Sequence, residues 1–188
     1  MKVLIVGIDA LTPGLVEYLI SKSCMPNLEN TIRNGSKVII QTRIPLKSPL
    51  IWTTIATGVL PEFHGITDFI LEGTVVNSTF RKVPAFWNIM ATFNVKGATL
   101  NWYASWPAEK NAGIIISDYM FFEKYTQRAC PEGVIDTSKH LFYKYLTDTS
   151  IIKRFTTYPI DPDFKKNLKK GTHEYLLNDL IFNKLLYH

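Results

Sequence analysis

From Lys2 to Ile8 the chain is a run of β-branched and aliphatic residues with no polar alternation. A strand with one wet face alternates polar and apolar residues. An unbroken apolar run instead suits a central parallel strand covered by helices on both faces. This segment predicts a layered α/β fold and puts Asp9 at the strand's carboxyl end, the edge at which open α/β sheets bind ligands.

The segments that follow keep up the alternation. Thr12 and Pro13 suit the cap and first position of a helix that presents Leu15, Leu19 and Ile20 on one side. Pro26 to Asn34, stopped by Gly35, reads as a second helix, and residues 37–42 as the next strand. Residues 48–57 can be helical, with Ser48 suited to the cap, Pro49 to the first position and Gly58 to the stop. A largely apolar helix is expected over 84–93, and buried strands over 98–102 and 113–117. Beyond Asp118 the pattern weakens: helices are expected over 138–146 and 172–186, with a polar connection over 159–170.

The 188 residues suffice for one sizeable core, and 46% hydrophobic with 20% charged residues is ordinary for a globular protein. A net charge of +5 is dispersed except at Lys165, Lys166, Lys169 and Lys170, which argues against a nucleic-acid partner. Cys24 and Cys130 have no Cys or His neighbour at ligand spacing, so free thiols are expected. Asp9 interrupts the apolar opening, and no apolar stretch reaches the ~18 residues that span a bilayer. Those features predict a cytoplasmic chain with no membrane partner.

The residues that carry chemistry begin with Asp9 and Ser48. A hydroxyl is a weak nucleophile at neutral pH unless a divalent cation lowers its pKa, and a carboxylate is a hard ligand for such a cation. A hydroxyl at a helix start also meets the positive end of the helix dipole and the unpaired amides that hold phosphate oxygens. Pro49 lacks an N–H, so those donors fall to Leu50, Ile51 or a nearby loop, and Lys47 is placed to approach the same anion. Taken singly, each has a plainer reading: Asp9 as a turn or cap, Ser48 as an N-cap, Lys47 as a solvated side chain, His64 and Asp68 as turn residues.

Read together, Gly7-Ile8-Asp9, Met25-Pro26-Asn27-Leu28, Ser48, Thr57-Gly58, Pro61, His64-Gly65-Ile66, Asp68-Phe69, Trp106-Pro107 and Ser117-Asp118 resemble the type I phosphodiesterase and nucleotide pyrophosphatase family. The family belongs to the alkaline phosphatase superfamily, and the likeness is to its bacterial phosphohydrolase and phosphomutase branch. It is strongest over 2–118. The resemblance implies an alkaline phosphatase-like three-layer α/β/α domain with a mostly parallel central sheet, spanning 1–188 as the nucleophile half. It also implies metal-dependent hydrolysis of a small-molecule phosphate ester or phosphodiester through a phosphoseryl intermediate. Ser48 would be the nucleophile, Asp9 and Ser48 ligands to a divalent cation, most naturally Zn2+, and Lys47, Leu50 and Ile51 contacts to substrate.

The family's further Asp and His ligands come in patterns such as Asp-x-x-x-His, and His140, His173 and His188 are not set in one. On this reading the chain is a truncated family member that needs additional sequence for activity and exposes a sheet edge open to self-association. The alternative is a catalytically silent α/β remnant that binds an anion or a protein. A dinucleotide-binding fold is disfavoured, because the first strand leads into Gly-Ile-Asp-Ala rather than Gly-x-Gly-x-x-Gly.

Overall fold

The structure is a computed structural model that describes residues 2–136, except 43, 112, 121 and 123. The helices expected over 138–146 and 172–186 and the connection over 159–170 lie outside the described residues. The chain divides into two compact units, Met1–Arg43 and Ile44–His188.

In the first unit, helix α1 (Pro13–Ser21) starts as its sequence dictates: Thr12 caps it, accepting from the Leu15 amide through Oγ1 at 3.3 Å, and Pro13 fills the first turn. Helix α2 (Pro26–Asn34) packs against α1 and ends at Gly35. Exposed ion pairs decorate the unit, Arg33 with Glu29 along α2 and Lys37 with Glu17. Such exposed pairs add little, because solvent screens them.

Residues 2–8, expected as a buried strand, and 37–42, expected as the next strand, are not in strands here. Val3 and Ile40 are 72% and 85% exposed. An apolar run records that a segment favours burial, but a strand also needs a neighbour that pairs its backbone N–H and C=O groups.

The second unit opens with helix α3 (Ser48–Thr57), whose end is set by Gly58 at φ 70°. That left-handed conformation carries a steric cost for any residue with a Cβ. The short helix α4 (Pro61–His64) follows, then an antiparallel hairpin of β1 (Ile70–Leu71) and β2 (Thr74–Val75), turned by Glu72 and Gly73 at positive φ. Helix α5 (Phe86–Thr92) starts where Asn88 reaches back to accept from the Ala85 amide at 2.9 Å.

Strands β3 (Ala98–Leu100) and β4 (Ile114–Ile116) pair in parallel, and β5 (Ala129–Cys130) adds to β4 antiparallel. Side chains alternate along β4, and both of its faces are covered. Ile115 packs with Ala56 of α3, Ala85 and Trp87, while Ile116 packs with Met120, Ala129 and Ile135. This central strand falls within the buried strand expected over 113–117, and the fold is α/β. No helix among the described residues is long and apolar enough to cross a membrane.

Candidate active site

Asp9 sits in the turn that leads into α1. Its Oδ1 accepts from the Ala10 amide at 2.9 Å, and Ala10, at φ 57°, turns the chain so that the Thr12 amide bonds the Ala10 carbonyl at 3.0 Å. The carboxylate is exposed. It therefore serves its own turn through one oxygen.

Ser48 is the first residue of α3, half-buried, with Lys47 as the capping residue in extended conformation and Pro49 next. The helix thus begins one residue earlier than the sequence suggests, with Ser48 at the first position instead of the cap. The Ile51 amide donates to the Lys47 carbonyl at 3.0 Å, the first bond of the helix. Of the two backbone donors expected to meet a substrate, Ile51 is committed within the helix, which moves that role toward Leu50.

Two contacts bind α3 to the segment that follows it. Lys47 Nζ forms an ion pair with Asp68 Oδ2, and Asp68 Oδ1 accepts from the Phe69 amide at 2.7 Å. The Lys47 ammonium and then the amide hold the Asp68 carboxyl below the usual carboxylate range. Farther along, buried His64 lies 3.0 Å from Thr54 Oγ1 through Nε2, and its Nδ1 accepts from the Ile66 amide at 3.1 Å. An Nδ1 that accepts carries no proton, so the neutral ring carries it on Nε2 and donates to Thr54. Burial lowers the ring's pKa, with Glu62 opposing weakly. The expectation that His64 is structural fits this arrangement.

The carboxyl end of β3 also touches α3. Trp102, two residues past β3, donates its indole N–H to the Trp52 carbonyl at 3.1 Å, and the two rings meet edge to face at 5.4 Å. Trp102, Tyr103 and Trp106 divide among separate groups. Trp102 joins Phe86 and Trp87, Tyr103 meets Phe69, and Trp106 stacks on Tyr119 at 5.2 Å. They are packing residues.

Past the end of β4, Asp118 gathers the amides of Ala104, Ser105 and Trp106 at 2.8, 3.2 and 3.0 Å. Burial raises its carboxyl to about 6 against the pull of those donors. Sequence reasoning marked Asp118 only as part of a resemblance. The signal that it closes a loop was absent locally, because its partners lie 12 to 14 residues upstream.

Among the described residues, no group of three or more His, Cys, Asp or Glu side chains comes together. Asp9 and Ser48 offer two oxygen donors, whereas a closed zinc site takes four ligands. This donor pair does not by itself complete such a site.

The family model for type I phosphodiesterase / nucleotide pyrophosphatase matches residues 3–176, and the chain belongs to that family. Membership points to hydrolysis of phosphodiester or pyrophosphate bonds in small molecules. No curated protein and no solved structure matches the chain significantly.

Proposed function

We propose that the chain hydrolyses a phosphate ester or phosphodiester with Ser48 as nucleophile, in an alkaline phosphatase-like three-layer domain of which the whole chain is the nucleophile half. The observation that carries this is Ser48 at the first position of a ten-residue helix in a member of this family. The Ser48 Oγ–P bond forms as the P–O bond to the leaving alcohol breaks, and water then cleaves the phosphoseryl ester. Lys47 and the Leu50 amide would receive the phosphoryl oxygens, aided by the positive end of the helix dipole.

Asp9 and Ser48 would be two ligands of a divalent cation, for which Zn2+ is our first candidate. When bound, such an ion lowers the pKa of a coordinated hydroxyl. The test is release of 4-nitrophenol from bis(4-nitrophenyl) phosphate with added Zn2+ or Mn2+. Ser48→Ala should lower the rate by about a thousandfold or more, as removal of a nucleophile does elsewhere. Asp9→Asn should lower it by about a hundredfold, the loss being partly recovered at high metal concentration. Turnover above the buffer rate that is equal in the chain and its Ser48→Ala form would sink the assignment.

A further inference from the structure

One segment grips α3 at two places that lie in register. Lys47 and Thr54 are seven residues apart, which at 3.6 residues per turn places them on one face of the helix, about 10 Å apart. Their partners, Asp68 and His64, are four residues apart in the segment that runs back along that face. An extended chain of four residues spans at most about 14 Å, so one strap covers both points. The upper contact is also directional. The Ile66 amide donates to His64 Nδ1, Nε2–H donates to Thr54 Oγ1, and Thr54 donates to the Leu50 carbonyl at 2.9 Å. Every donor and acceptor in this relay is used once, and the relay ends two residues from Ser48. The other end of the strap holds the residue immediately before Ser48.

We propose that His64 and Asp68 are positioning residues for Ser48: through Thr54 and Lys47 they fix the rotation and the first turn of α3, and so the direction in which the hydroxyl points. This rests on the reading of Ser48 as nucleophile. The strap does not touch substrate. It acts on aim, where a displacement of about 1 Å can cost a hundredfold in rate.

The experiment uses the full chain, 15N-labelled, with Thr54→Val, which removes the hydroxyl at nearly constant shape, and Thr54→Ser, which restores it. In Thr54→Val the amide signals of Ser48 and Leu50 should move, and in Thr54→Ser they should return. Phosphorylation of Ser48 by bis(4-nitrophenyl) phosphate with Mn2+, followed by mass spectrometry, should slow by roughly ten- to a hundredfold in Thr54→Val with the same concentration dependence. Thr54→Ser should recover the rate. Asp68→Asn, at the more exposed end of the strap, tests the second point and stands in should Thr54→Val fail to fold. It should shift the Lys47 and Ser48 amides, with Asp68→Glu returning them.

If the Ser48 and Leu50 amides stay in place in Thr54→Val, or the Lys47 and Ser48 amides stay in place in Asp68→Asn, the positioning role is overturned. If they move while Ser48 of the unsubstituted chain takes up no phosphate, the nucleophile reading fails and the strap stands.

Discussion

His64 and Asp118 are buried titratable groups whose protons act on the fold in opposite directions. Burial lowers the His64 pKa from 6.5, so the folded state binds fewer protons there than the unfolded chain. Its stabilising contribution is complete above about 6.5 and is lost as pH falls toward the lowered folded value. Asp118 is raised from 3.8 to about 6, so between those values the folded state binds more protons, and stability from this group grows on acidification. Two pKa units correspond to roughly 3 kcal/mol at most. Asp118→Asn removes the offsetting group, so the loss of stability between pH 6 and pH 4 should become steeper. Urea denaturation midpoints across that range measure the slope, and an unchanged slope would mean that Asp118 stays ionised in the fold. At this scale the sequence singles out residues without showing their partners. Ser48, His64 and Asp68 stood out by type and spacing, whereas the pairing of Lys47 with Asp68 needs a chain reversal across 21 residues.

At the scale of elements, helices were more legible than strands because their signals are local. Thr12-Pro13 and Gly58 mark ends that the structure reproduces within a residue. The β1–β2 hairpin has strands of two residues each, too short for any period, and its Glu72-Gly73 turn is a weaker cue than Asn-Gly. Residues 2–8 show the converse, an apolar pattern without a paired ladder. The parallel pair β3–β4 carries a requirement of its own where the strands begin. A Cβ on Gly113 would lie 1.8 Å from the Gly97 carbonyl oxygen, while the neighbouring Ile114 amide bonds that same oxygen at 2.9 Å. No shift of a side chain relieves a clash with backbone. Gly113→Ala should destabilise the fold by on the order of 3 kcal/mol. Thermal unfolding checks it, and a change below about 1 kcal/mol would show that the strand pair opens at little cost.

At the scale of the molecule, the chain is an α/β protein in two compact units, with the candidate ligand Asp9 in one and the candidate nucleophile Ser48 in the other. The resemblance read from the sequence and the family match agree because several short motifs recur in order along the chain. Layer number lies beyond such motifs, since it is decided by contacts among distant elements. The free thiols add a resource at this scale. Cys24 is exposed in the first unit, and Cys130 is half-buried in the second. A maleimide should react at Cys24 first, by about tenfold in rate given the dependence of thiol reactivity on access. Competition between the two sites, read by mass spectrometry, checks this, and equal rates would place Cys130 at an open surface. Sequential labelling would then turn the natural sequence into a molecular ruler. A donor dye on Cys24 and an acceptor on Cys130 would report by energy transfer how far apart the two units stand and whether zinc or a phosphate ester draws them together.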